Sequence, residues 1–402
     1  MQIVLFDNEQ WRTSFFPLTL TRPVSNLRVG ILTVQEKWER YSGLKVSYLT
    51  ADYLQDKFPM FAADQSILFI RGNLLPDHSL WKHISSLKEH EALCYDAKML
   101  AIHLPGGEEL AADSFDILPS GIKCVSLLSE PLSIHHPEDI FLLNGDEIRK
   151  DFKILTNGRV SAPISETNRV LGDQIFLEEG ATAEFSTFNS LKGPIYLGRS
   201  SEVWEGSMVR GPFGLGDYSV LKMGTIVYSN VTVGPYSKVG GELNTSVIWG
   251  NSNKGHHGYL GSSVIGEWCN WGAGTSNSNM KNNLGSVRLY DYQSDDFRDT
   301  RLGFCGMIMG DHARCAINTS FNTGTVVGVG ANVFGQSLLP KYIPDFSWGA
   351  DGIYDKDKMF QTCELVFQRR NCKFDEIEKK ILNSIYQTTS KNRKIKKDNH
   401  EK

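Results

Sequence analysis

No run of about 18 apolar residues occurs in this chain, so the sequence offers no membrane span. No CxxC pair is present. The seven cysteines, Cys94, Cys124, Cys269, Cys305, Cys315, Cys363 and Cys372, show no metal-ligand spacing. They read as reduced thiols of a cytosolic protein, not as a disulfide frame. The first residues, MQIVLFDNEQW, lack a basic n-region, and their apolar run is too short for a secretory signal. A cytoplasmic location is therefore expected. Charge of one sign is scarce too. The 402 residues hold 42 Lys and Arg against 46 Asp and Glu, a net of −4. That balance argues against a nucleic-acid partner, and no basic block precedes the extreme C-terminus.

What the chain does have is a period. Leu197, Val203, Val209, Leu215, Leu221, Val227, Val233 and Val239 stand six apart without a break. Leu197, Leu215 and Val233 are each followed by glycine (Gly198, Gly216, Gly234), which adds a super-period of 18. Neither helix nor simple strand alternation has this spacing. It implies one inward aliphatic per short strand and three strands per coil, the hexapeptide signature of a left-handed parallel β-helix. Coils stack at ~4.8 Å. Each buried Val or Leu contributes roughly 1.5–3 kcal/mol. Gly and Asn take the corners, where φ turns positive.

Taken in order, residues 1–165 read as an α/β domain. Ile3–Phe6, Ser66–Ile70 and Ile140–Leu143 are apolar strands, with helices such as Leu32–Tyr41 and Leu80–His90 between them. That pattern predicts a parallel sheet covered on both faces. A linker lies near Asn157–Asn168, and a weak first coil begins at Ile175. The β-helix is assigned to residues 166–345. Its hexads break after Val239, return at Ile265 and Trp271, break again, and resume at Met309, Cys315, Phe321, Val327, Val333 and Leu339. Neither gap is a multiple of six, so both predict loops that leave the prism, often on the binding face. Residues 346–402 form a third part. It holds a turn-rich loop (Ser347–Asp355), one helix over Lys358–Gln387 and a disordered basic tail from Lys391.

The first excursion contains Asn253-Lys254-Gly255-His256-His257-Gly258-Tyr259. A neutral histidine is the usual general base near pH 7. Lys254 beside the pair is placed to hold a phosphate. The next coil carries Asn270-Trp271-Gly272-Ala273-Gly274-Thr275.

These segments, KGHHGYLG followed by IGEWCNWGAGTSNSN, resemble the acetyltransferase half of the bifunctional N-acetylglucosamine-1-phosphate uridyltransferase / glucosamine-1-phosphate N-acetyltransferase family. An alternative bacterial form of that enzyme is the closer likeness. It shares FPLTLTRP near the start, NKGHHG, FNTGTVVG at 321–328 and FSWG at 346–349. The resemblance implies that His256 deprotonates the attacking sugar amine. It implies that Tyr259 and Asn270 contact the sugar phosphate and the reacting centre and that Asn279 lies on the sugar or acetyl-CoA side, with Lys254 and Arg210 as phosphate ligands. Met280-Lys281 stand where the family carries Tyr-Asp. Acetyl-CoA is the implied co-substrate, a sugar phosphate and a nucleotide are the implied small-molecule partners, and a homotrimer is the implied assembly.

The N-terminal half departs from the nucleotidyltransferase pattern of that family. There, a glycine-rich loop after the first strand brings backbone N–H groups to the triphosphate. Here no glycine occurs before Gly30. Arg12, Arg22 and Lys37 are the expected nucleotide ligands, since a guanidinium can replace lost N–H donors. Asn73, in Gly72-Asn73, stands where the family has its metal-binding Asp, and Asp146 is the expected substitute ligand for Mg²⁺. The functional expectation is synthesis of UDP-N-acetylglucosamine from glucosamine-1-phosphate, acetyl-CoA and UTP. Three alternatives stand beside it: an acetyltransferase with a degenerate N-terminal domain, a nucleotidyltransferase using another sugar-1-phosphate such as glucose-1-phosphate with dTTP, and a non-catalytic solenoid scaffold.

Overall fold

The computed structural model describes residues 1–61, 65–96, 98–108, 110, 118–335, 339–349 and 352–393. Strand β1 (Gln2–Phe6) and strand β3 (Ile67–Arg71) are apolar nearly throughout and lie at the centre of a six-stranded sheet. They pair in parallel, Leu5 beside Ile70, and β1 pairs in parallel with β2 (Val46–Leu49). The expected all-parallel sheet is corrected at its other edge. Strand β4 (Glu91–Tyr95) and strand β5 (Lys98–Leu104) run antiparallel to each other, and β5 runs antiparallel to β3. Too few residues separate β4 from β5 for a crossover helix, so a hairpin is the only connection available. Strand β6 (Lys123–Ser126) adds in parallel to β4. Helices α1 (Glu9–Ser14), α2 (Val34–Ser42), α3 (Asp52–Gln55) and α4 (His78–Ser85) follow their strands or connect them.

Ile140–Leu143 is not a strand. It lies inside helix α5 (Pro137–Thr156), which Pro137 opens at its first turn and an Asp139 capping box closes at the N-terminus. The buried positions Ile140, Phe141, Asn144, Ile148 and Leu155 recur at helical spacing over twenty residues. Four apolar residues in a row hid that longer period. The helix packs on the solenoid strands Glu242–Ile248 and Tyr259–Ile265. At the contact, Asn144 accepts from Gly30 N (2.8 Å) and Thr232 Oγ1 (3.1 Å) and donates to Asn230 O (3.0 Å).

The C-terminal part of the chain is a parallel β-helix. All eight hexad residues from Leu197 to Val239 are buried in one core, and the ladders run coil to coil: Val203 beside Leu221 beside Val239, Leu197 beside Leu215 beside Val233. Ile265, Trp271, Met309, Cys315, Phe321, Val327, Val333 and Leu339 join the same core. The first expected excursion is corrected. Between Val239 and Ile265 the chain stays on the prism, and Leu243, Ile248, Lys254 and Leu260 take the inward positions. The step from Val239 to Leu243 is four residues. Those from Leu243 to Ile248 and from Leu260 to Ile265 are five, because Glu242–Ile248 and Tyr259–Ile265 each turn a corner as one continuous strand. The second excursion is real. Residues 278–306 leave the prism and carry an antiparallel hairpin, Arg288–Asp291 with Asp296–Asp299. Its Val287, Leu289, Tyr290, Tyr292 and Phe297 bury in a core shared with the α/β domain.

The expected single C-terminal helix is two, α6 (Lys356–Gln368) and α7 (Glu376–Thr388), separated by a break where Asn371 takes φ 54°. Phe367 of α6 stacks on Trp268 of the solenoid at 3.9 Å. Lys391–Arg393 are ordered against the body, with Asn392 O accepting from Tyr342 Oη (3.2 Å); residues 394–402 of the expected disordered tail lie outside the described residues. Among the described residues no helix is long and apolar enough to cross a membrane.

Candidate active sites

Two places gather chemistry. The first is the solenoid corner at Gly255–Gly258. Its length is that of an ordinary corner, since Lys254 and Leu260 both point inward six residues apart. Lys254 is only 4% exposed and is not a phosphate ligand. Its Nζ donates to Gly258 O (2.7 Å), Gly240 O (2.9 Å) and His256 O (3.2 Å), so it ties two stacked corners from within. Gly258 sits at φ 122°, and a Cβ there would run into the Thr275 carbonyl of the next coil. This close stacking leaves His256 and His257 exposed at the corner. Just beyond it, Asn279 Nδ2 donates to Tyr259 Oη (3.0 Å) and Ser262 Oγ (3.3 Å). Burial pushes the Tyr259 phenol up, so the ring keeps its proton at neutral pH.

One corner thus presents His256, Tyr259 and Asn279. Asn270 stands on the flat face before it, in register between Asn253 and Arg314. Arg210 is exposed on the face after it, but its ladder lies three strand spacings away, through Val209, Val227, Leu243 and Leu260. At ~4.8 Å per spacing that is about 14 Å, beyond reach of the same chain's Tyr259.

Burial draws the Lys254 pKa down to about 8. Unfolded lysine titrates near 10.5. Between the two values the unfolded chain binds more protons, so folding stability gains as pH rises from about 8 to about 10.5. Below pH 8 the full desolvation cost is present. Lys254→Met removes this titration. The stability difference, wild type minus variant, should therefore rise by up to about 3 kcal/mol from pH 8 to pH 10.5. Urea unfolding of both proteins across that range measures it, and a flat difference would mean that the charge is not desolvated.

The second place is a cleft of about 740 Å³ at the C-terminal ends of β1 and β3, where open α/β sheets bind ligands. Arg71 and Asn73 come from the end of β3, Gln10 and Trp11 from α1, Asp96 from the β4–β5 connection, Lys98 from the start of β5, and His135 and His136 from the approach to α5. The Arg71 guanidinium lies 3.6 Å over the Trp11 ring. Asn73 Nδ2 donates to Ile134 O (2.9 Å), while its Oδ1 is buried with no hydrogen-bond partner among the described residues. Burial, helped by the Arg298 charge, lowers the His136 pKa.

None of the three expected nucleotide ligands lines this cleft. Arg12 is buried and donates to Tyr53 Oη (2.7 Å) and Thr19 O (3.3 Å). Arg22 pairs with Asp311 (2.5 Å) and Glu267 (3.1 Å) of the solenoid. Lys37, 1% exposed, sits between Glu147 (2.7 Å) and Asp151 (2.5 Å) of α5. All three are structural, because each has a nearby acid or acceptor that closes it off from solvent. Asp146 is corrected as well: it is exposed on α5, paired with Arg149 at 3.3 Å, and does not join Asn73. Asn73 and Asp146 are therefore not brought together as a ligand pair, and no group of three or more His, Cys, Asp or Glu is placed for a metal among the described residues. The sequence reading missed Arg71, Lys98, His135 and His136. The signal for Arg71 was its place at the end of a buried strand.

Residues 3–160 match the family model described as sugar nucleotidyl transferase. The bifunctional protein GlmU of Methanocaldococcus jannaschii is 29% identical over 145 residues, 36% of this chain and 31% of that protein. The bifunctional protein GlmU of Methanococcus maripaludis is 28% identical over 229 residues, 57% of this chain and 48% of that protein. The chain thus spans less than half the length of these curated relatives. An Arabidopsis UDP-N-acetylglucosamine acyltransferase structure covers 58% of this chain and 94% of its own at 14% identity, with a TM-score of 0.29 that carries no weight. Residues 3–160, which hold the α/β fold and most of the cleft lining, are thus similar to a sugar nucleotidyl transferase domain, and parts of the chain are similar to curated GlmU proteins.

Proposed function

We propose that this chain is a two-site transferase. The solenoid corner acetylates glucosamine-1-phosphate from acetyl-CoA, and the N-terminal cleft joins the product to UTP, giving UDP-N-acetylglucosamine. The observation that supports this reading is the corner itself, where stacked glycines and Lys254 fix the His256 main chain three residues before Tyr259, which accepts from Asn279. The sugar amine attacks the thioester carbonyl, forming a C–N bond. His256 takes the amine proton. The C–S bond then breaks, and the proton passes to the departing thiolate. Tyr259, whose Oη accepts from Asn279, keeps its own O–H as a hydrogen-bond donor for the sugar or the developing oxyanion. In the cleft, a sugar-phosphate oxygen attacks the α-phosphorus of UTP and pyrophosphate leaves. Arg71 and Lys98 offset the phosphate charge.

The site of acetyl transfer is open on one chain, and a homotrimer would close it. In support, Met208 (59% exposed) and Ile226 (40%) stand in register below Glu242 and Tyr259, an apolar column leading to the site. A second reading, acetyltransferase alone, is favoured by one feature. Asn8 caps α1 directly after β1, which leaves no backbone cradle for a triphosphate. The test is turnover of glucosamine-1-phosphate with acetyl-CoA by the purified chain, followed by addition of UTP and Mg²⁺, with light scattering on the same sample. Acetylation without pyrophosphate release would favour the second reading. A folded trimer inert in both steps would remove both.

A further inference from the structure

The cleft wall is not made by the α/β domain alone. Gln293, at the tip of the hairpin inserted from the solenoid, lines it beside the helix α1 and His135 segments. These two segments meet there, as Ser14 Oγ donates to His135 O (2.9 Å). The tip is held firmly. Tyr292 packs edge-on against Phe16 (5.6 Å) and donates to Asp345 (3.1 Å). Tyr290 stacks on Tyr342 (3.5 Å), and Arg298 pairs with Glu138 of α5 (2.7 Å). Asp291 takes the Gln293 and Ser294 backbone N–H groups (3.2 Å each), which shapes the turn. The Gln293 side-chain amide, by contrast, is exposed and makes no hydrogen bond among the described residues. It is an uncharged donor and acceptor carried on a held turn, lining the same cleft as the cations Arg71 and Lys98.

We infer that Gln293 binds the neutral polar part of the cleft's ligand, the hydroxyl or amide groups of a hexosamine-1-phosphate. The solenoid half thereby supplies sugar specificity to the nucleotidyl half. This rests on the nucleotidyl reading of the cleft. A neutral hydrogen bond corresponds to a change on the order of tenfold or less in affinity. The experiment uses the full chain, unaltered and with Gln293→Ala, under UTP, Mg²⁺ and N-acetylglucosamine-1-phosphate. The expected result is a KM for the sugar phosphate raised several-fold to about tenfold, with UTP affinity by calorimetry and thermal midpoint unchanged. Equal KM values in the two proteins would overturn the inference while leaving the nucleotidyl reading in place. A loss of UTP affinity instead would assign the amide to the nucleotide and overturn it too. An unaltered chain that neither binds UTP nor releases pyrophosphate would remove the nucleotidyl reading, and this inference with it.

Discussion

Alanine at His256 should lower acetyl transfer by ~10²–10⁴-fold, the usual range for loss of a general base. The fold should survive, because the ring is exposed and the corner is held by main-chain groups. His256 contributes its carbonyl, not its ring, to the Lys254 cage. His257→Ala should cost less. That ring lies beside the next corner, where a Cβ on Gly274 would come 3.4 Å from its Nε2. His256 stands three residues before Tyr259, on the chain segment that the Tyr259–Asn279 bond fixes. The measurement is steady-state acetylation of glucosamine-1-phosphate by each variant, with circular dichroism to check folding. A dead His257 variant beside an active His256 variant would move the base by one residue. Two active variants would remove histidine chemistry from this corner.

The parts that the sequence exposed are those governed by neighbours along the chain. A six-residue step is local, so the core of the β-helix from Leu197 to Val239 could be read directly, and the glycine-lined corner with its histidines stood out against it. The shortened steps at Ile248 and Ile265 could not be read, because the chain turns the corner at Thr245 (φ 44°) and Ser262 (φ 47°) inside what remains one continuous strand. Lys254 shows the same limit. A lysine between Asn and Gly looks exposed, and only the ladder beside Val239 and Trp271 turns it inward. The cleft was hidden for a different reason. Arg71, Lys98, His135 and Gln293 come from four segments that meet only in the folded chain. Arg22 and Lys37 looked free because their partners are distant in sequence: Asp311 is 289 residues from Arg22, and Asp151 is 114 from Lys37. A positive charge after a buried strand is as well suited to a neighbouring acid as to a phosphate, and the sequence does not reveal the acid.

Arg22→Ala should therefore act on stability. The guanidinium touches Asp311 and Glu267 and lies 4.7 Å over the Trp249 ring, so it fastens the α/β domain to the solenoid. Asp311 is 2% exposed and also accepts from Thr21 Oγ1 (2.7 Å) and Glu267 N (2.8 Å). Removing the arginine leaves that carboxylate buried without its cation, which typically costs about 3–5 kcal/mol. Thr21 and the Glu267 N–H soften the loss but do not neutralise the charge. Asp311→Ala alone should also destabilise, since it removes one of the two acids facing a buried arginine. The double variant should be less unstable than the sum of the two single changes, because neither charge is then left alone. Urea unfolding of the four proteins measures the coupling, and UTP titration of the folded single variant gives the second readout. Binding of UTP should match that of the parent. A variant as stable as the parent but unable to bind UTP would return Arg22 to the nucleotide site.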